Sequence, residues 1–381
     1  MSKRISSLLL FSSAILMSPA TAAFAADVPA SGKVAVYIGT YTGGKSKGIY
    51  RAELDLKTGK LGEPMLAAEV GSPSFLTLSA DRKFLYAIGE GQGGGVTSFS
   101  VAADGKLTKL NSQTTGGAGP CHLSLDRKGG TLLVANYGSG SVESLPVEKD
   151  GSLGKPATFI QHVGSSVDKG RQQGPHAHSI NVDPSGKFAV AADLGLDKVL
   201  IYKLDPATSK LTPNEPAFYA TAPGAGPRHF AFHPTRPIAF VINEMSLTLD
   251  MLSWDSAKGE LKKIDSASTV PEKANRKGAS TAEVVVHPNG KFVYGSNRGH
   301  DTIVAFKIGD DKLEYIGNFG EGVKVPRNFN IDPTGRYLLV ANQDGDSVVV
   351  FAIDTETGKL TPTGSKIVVG KPVCLKMFVI E

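Results

Sequence analysis

One frame recurs along this chain: a short apolar run, a tight turn of the form D-P-x-G, and a second apolar run ending most often in Asn or Asp. It is complete in SPSFLTLSADRKFLYAIGE, GPCHLSLDRKGGTLLVANY, AHSINVDPSGKFAVAADL, GPRHFAFHPTRPIAFVINE, TAEVVVHPNGKFVYGSNR and VPRNFNIDPTGRYLLVANQ. The turns are anchored at Ser79, Asp126, Asp183, His233, His287 and Asp332, spaced by 47, 57, 50, 54 and 45 residues. A period of that size signals a repeat architecture and outranks any element-by-element assignment. A seventh copy is divided between the chain ends. KPVCLKMF, from Lys371, supplies only a first strand, and GKVAVYIGT, from Gly32, only a second. Half a unit at each end predicts that the two ends pair in one sheet and close a ring.

Between copies lie two further strand-like runs joined by polar turns, as in VTSFSVAADGKLTKLN, KVLIYKLDPATSKLTP and SVVVFAIDTETGKLTP. Asp, Thr and Gly in those turns are hairpin chemistry. Helical periodicity is nearly absent, and 44 Gly with 22 Pro suit many tight turns. The fold class is therefore all-β: a seven-bladed β-propeller of four-stranded blades, closed by pairing of the N- and C-terminal strands. A solenoid would not divide one repeat between the two ends.

The propeller accounts for residues 33–381 as a single domain. Ahead of it, Lys3 and Arg4, the apolar run Ile5 to Met17 and the small-residue site Ala23-Phe24-Ala25 have the layout of a secretory signal peptide over residues 1–25. A periplasmic or secreted protein is expected, with no membrane contact after cleavage. The formal charge is +5 and falls to +3 without Lys3 and Arg4. That is too mild to imply nucleic acid, and no base-stacking motif appears. Cys121 and Cys374 are too few for a disulfide framework and are expected as buried free thiols.

In a propeller the first strand of each blade lines the central axis, and antiparallel pairing sets its start beside the end of the second strand. Residues at these two places ring one mouth of the channel, where rigidly held loops and strand ends build ligand sites. The strand starts read Ser74-Phe75, Cys121-His122, His178-Ser179, Arg228-His229, Ala282-Glu283, Arg327-Asn328 and Val373-Cys374. The strand ends read Gly39-Thr40, Gly89-Glu90, Asn136-Tyr137, Asp193-Leu194, Asn243-Glu244, Asn297-Arg298 and Asn342-Gln343. The recurring Asn reads mainly as a turn-closing side chain. The other positions change charge from blade to blade, as an asymmetric ligand site requires.

His178 shares its column with Arg228 and Arg327, which assigns it to the mouth; His176 lies outside the column and reads as a rim residue. Arg228, Arg298 and Arg327 come from three blades, and guanidinium pairs with carboxylate or phosphate, so an anionic ligand is expected. Glu244 either activates water or holds Arg228 as an ion pair. No metal is expected: H-E-x-x-H and paired C-x-x-C spacings are absent, and three arginines oppose a dication. No cofactor is expected either, C-x-x-C-H being absent. The loop from His162 to Ser179, with Lys169 and Arg171, is long enough to cover a bound anion, and PEKANRKGAST adds Lys273, Arg276 and Lys277 near the same rim.

The runs PHAHSINVDPSGKFAVAADLGLDKVLIYKLD, GAGPRHFAFHP, VINE, SNRGHDTI, VPRNFNIDPTGRYLLVANQ and VYIGTYT together resemble the seven-bladed propeller lactonases, the family of bacterial propeller-type 6-phosphogluconolactonase and fungal carboxy-muconate cycloisomerase. The resemblance covers essentially the whole of residues 33–381. It implies metal-independent chemistry on a small lactone, with a histidine, two arginines and a glutamate as the active-site pattern. These fall on His178, Arg228, Arg298 and Glu244 as catalytic candidates. Substrate-contact candidates around them are His176, His229, Glu283, Asn297, Arg327 and Asn328. A monomeric lactonase acting on an anionic sugar-type lactone is the expected function. A non-catalytic propeller binding a protein or carbohydrate is the alternative.

Overall fold

The computed structural model describes residues 32–91 and 94–380; the expected signal peptide lies outside them. Among the described residues there are twenty-eight strands, numbered β1 to β28 along the chain, in seven sheets of four antiparallel strands. Lys33–Thr40 (β1) pairs with Gly48–Asp55 (β2) on one side and with Pro372–Ile380 (β28) on the other. The last strand of the chain is thus the innermost strand of the first blade, as the divided repeat requires. No helix among the described residues is long and apolar enough to cross a membrane.

The second strand of each blade explains the continuous apolar runs. Thr131–Asn136 (β9), Phe188–Asp193 (β13) and Ile238–Asn243 (β17) are buried at every position, because neighbouring blades cover both faces. Val190 and Ile201 of one blade meet Phe230, Val241 and Trp254 of the next. The outermost strands, such as Glu260–Ser268 (β19), carry mostly half-buried and exposed positions.

The turn anchors are structural. Asp183 Oδ1 accepts the amides of Lys187 and Phe188, and Asp332 Oδ1 accepts those of Arg336 and Tyr337. Where histidine replaces aspartate, His233 Nδ1 accepts the amides of Thr235 and Arg236, and Nε2 donates at 2.9 Å to the Gly290 carbonyl of the following blade. His287 repeats this contact to the Gly335 carbonyl at 2.8 Å. Imidazole can accept on one nitrogen while it donates from the other, so these two histidines both close a turn and tie adjacent blades. Cys121 and Cys374 are buried and free.

Candidate active site

At the start of the innermost strands the ladder skips one residue. In Ala177–Val182 (β12), Ala177 stands opposite Asp193 and Ser179 opposite Ala192, so His178 has no partner. The same shift leaves Arg228 unpaired in Pro227–Phe232 (β16), Arg327 in Pro326–Ile331 (β24) and Cys121 in Pro120–Leu125 (β8). Such β-bulges bend the strand and re-aim a side chain. On a regular strand, successive residues face opposite ways; here Arg228 and His229 border one cavity, as do Arg327 and Asn328. The site therefore has two levels: Cys121, His178, Arg228 and Arg327 above, and His122, His229, Glu283 and Asn328 below.

Glu244 is the centre of the upper level. It is 5% exposed, and three guanidiniums converge on it. Arg228 Nε donates to Oε2 at 2.9 Å and Arg171 Nη2 to Oε1 at 2.8 Å, and Arg298 Nη2, which donates to the Thr281 carbonyl, forms an ion pair with Oε2 at 3.0 Å. Burial would raise this carboxyl, but Arg298, Arg228 and Arg171 outweigh it and hold it at about 2. Of the two roles open to Glu244, the counter-ion is the one realised in this geometry. Arg228, 1% exposed, also donates from Nη1 to the Ala282 carbonyl at 2.6 Å. Its burial and its repulsion from Arg298 and Arg327 push it down to about 10. The cations are short of negative charge.

Arg327 has no ion pair or side-chain hydrogen bond to any described residue; its guanidinium stands over the Tyr41 ring, 5.4 Å from the centroid. Burial works against its charge, but Tyr41, Glu90 and Glu244 outweigh burial and hold it raised. Tyr41 in turn donates to Glu90 at 3.0 Å.

His178 is 5% exposed, and burial with the nearby Arg228 keeps it well below its ordinary value, hence neutral at pH 7. Its Nδ1 lies 3.7 Å from Cys121 Sγ; burial pushes that thiol up to about 12, so it stays protonated. On the lower level, His229 Nδ1 bonds Glu283 Oε1 at 2.8 Å, and its ring meets those of His122 and His178 edge-on. Glu283 also accepts the Val284 amide at 3.0 Å and the Asn328 side-chain amide.

Of the sequence candidates, His178, Arg228, His229, Arg327 and Asn328 line one cavity. Glu244 adjoins it through Arg228, Arg298 through Glu244, and Glu283 through His229. Two candidates are not brought in. His176 stacks on Tyr137 with its Nδ1 3.0 Å from the Tyr137 carbonyl, a rim position. Asn297 donates to the Thr269 carbonyl at 2.9 Å and to Thr302, closing a turn as the Asn column suggested. Arg171, Tyr41 and Glu90 join the site without having been singled out as contacts. Arg171 rides on a loop folded around buried Gln172, which donates to Leu194 O and Asp197 Oδ1, each at 2.8 Å. On the second insertion Lys273 and Lys277 are exposed, and Arg276 donates to Ser268.

Residues 35–377 match the family described as Lactonase, 7-bladed beta-propeller. A 6-phosphogluconolactonase of Bacillus subtilis is 39% identical over 346 residues, 90% of this chain and 97% of that protein. One from Formosa agariphila is 34% identical over 356 residues, 90% and 99% of the two chains. Among solved structures, the periplasmic gluconolactonase of Pseudomonas aeruginosa superposes with a TM-score of 0.87 at 32% identity, covering 92% of this chain and 100% of that one. With its fold and sequence matched over nearly their full length, this chain belongs to the seven-bladed β-propeller lactonase family and is a lactone hydrolase.

Proposed function

We propose that the enzyme opens an anionic sugar-type lactone by direct attack of water, without a metal ion, as an exported monomer in the periplasm. The observation that carries the anionic substrate is the charge at the mouth. Arg171, Arg228 and Arg298 share one ion-pair partner, Glu244, and Arg327 has no direct carboxylate partner among the described residues. A bound anion would supply the missing charge. Arg228 and Arg298, held in place by Glu244, stabilise the oxyanion that develops on the lactone carbonyl, and Arg327 takes the substrate's anionic group. With Glu244 held at about 2, proton transfer falls to the unprotonated histidines at the cavity floor. Metal-free chemistry is supported by the donors present: among the described residues no three His, Cys, Asp or Glu stand where they could hold one ion. Export is supported by the layout of residues 1–25 and by the Pseudomonas relative's description as periplasmic. A closed ring supports the monomer.

The test is acid release, in EDTA, from 6-phosphogluconolactone and from gluconolactone, each against its spontaneous hydrolysis. The charged lactone should be preferred about tenfold or more, and Arg327→Ala should remove the preference. Equal turnover of both lactones would overturn the anionic substrate; turnover of neither would overturn the lactonase assignment.

A further inference from the structure

The floor of the site contains a carboxylate–imidazole pair that neither Glu244 nor the arginines require. We propose that His229, oriented by Glu283, is the base that activates the attacking water; this rests on the lactonase reading above. The cavity bordered by His178, Arg228, His229, Arg327 and Asn328 leaves about 10 Å³ for the centre of a water molecule, the room of a single water. Glu283 lies outside that cavity, so the His229 nitrogen committed to it is turned away. Nδ1 donates to Glu283, which fixes the tautomer with an unprotonated Nε2, and Nε2 has no partner among the described residues.

The orienting group is itself well held. Glu283 accepts from His229, the Val284 amide and the Asn328 side chain, and three donors favour the ionised carboxylate. Asn328 is fixed in turn by accepting the Leu375 amide at 2.9 Å. On the side away from the mouth, Glu283 and His229 border a second cavity of about 160 Å³ that includes Asn181, Asn330 and Lys376. The pair is the partition between the two cavities, and the Lys376 charge is on the carboxylate's side of it. His178 has no such carboxylate; its Nδ1 faces a protonated thiol.

The reaction balances on these groups. Water oxygen bonds to the lactone carbonyl carbon as its proton passes to His229 Nε2, and Glu283 stabilises the imidazolium. Collapse of the tetrahedral intermediate breaks the bond between that carbon and the ring oxygen. The proton on Nε2 then passes to the departing oxygen, giving the hydroxy acid and restoring neutral His229. His229 is the catalytic residue; Glu283 is a positioning residue.

The experiment is kcat and KM against pH for the wild type, Glu283→Gln, Glu283→Asp and His229→Asn on a lactone that the wild type turns over, with inhibition by the product acid as a separate measure of binding. The amide of Glu283→Gln donates to Nδ1 and moves the ring proton to Nε2. We expect kcat to fall about 10²- to 10⁴-fold, with product inhibition within about threefold of wild type. The acidic limb of the kcat profile should vanish in both Glu283→Gln and His229→Asn. Glu283→Asp, which keeps the carboxylate, should recover at least about tenfold over Glu283→Gln; it also decides the matter if the amide variant does not fold. An acidic limb that survives in His229→Asn, or kcat in Glu283→Gln within tenfold of wild type, overturns the assignment while the lactonase reading stands. A wild type that hydrolyses no lactone overturns both.

Discussion

Replacing Glu244 by Gln separates the two roles of that carboxylate. The amide has the shape of the protonated acid, so the variant resembles the wild type with Glu244 neutralised. The carboxyl drops from an ordinary 4.5 to about 2 in the folded protein. A folded value below the unfolded one stabilises the protein above pH 4.5, and the stabilisation is lost as pH falls through 2. At 1.36 kcal/mol for each pKa unit, the difference amounts to roughly 3 kcal/mol at pH 7. Glu244→Gln should therefore lower the melting temperature by about 4 °C at pH 7, the unfolding entropy of a domain this size being large. The gap to wild type should narrow below pH 4.5 and reach about half near pH 3. Differential scanning calorimetry of the two proteins at pH 7, 5, 4 and 3 measures it. A gap near zero at pH 7, or one that stays constant down to pH 3, would refute the three-guanidinium account of Glu244.

Arg171→Ala removes the one arginine of that cluster that comes from a loop and is 45% exposed at its side chain. It should raise KM for a charged lactone roughly three- to thirtyfold with less than 1 kcal/mol lost in stability, as expected for a partly solvated pair; steady-state kinetics and urea unfolding check both. His162 is fully buried between Asp193 Oδ2 at 2.6 Å and the Tyr202 hydroxyl at 2.8 Å. His162→Ala leaves two buried polar groups unpartnered and should cost about 3–5 kcal/mol by urea unfolding, against about 1 kcal/mol for Tyr202→Phe.

How far the sequence reached depended on which positions the repeat frame covers. Aligning the turns assigned His178, Arg228 and Arg327 to one ring because every blade repeats the same strand start. The Asn column proved structural for a reason the alignment hinted at: Asn136, Asn243, Asn297 and Asn342 each donate to a hydroxyl five residues on. The bulge was not legible. Nothing in G-P-R-H shows that Arg228 and His229 both face the channel, since ordinary strand alternation would send one of them into the neighbouring blade. The pairing of His229 with Glu283 joins strands of adjacent blades, 54 residues apart, and no periodicity within either strand encodes it. For Arg171 the sequence reached the loop and its anion-covering role but not the ion pair with Glu244. Its loop has no counterpart in the other blades, and its course follows from Gln172 and Asp197 rather than from the repeat. Tyr41 stands one residue past the end of the aligned column, where the frame stops.

The joining of β1 to β28 also sets an order of events during synthesis. Lys33–Thr40 is made about 330 residues ahead of its inner partner, Pro372–Ile380. At about 5–20 residues per second on a ribosome, the first strand waits on the order of tens of seconds for that partner. Throughout that interval β1 presents a bare hydrogen-bonding edge rich in Val and Ile, the kind of edge that recruits other chains. The native ring thus closes only once β28 has been made, and any factor that shields nascent chains has its most consequential target in β1 rather than in the blades made later.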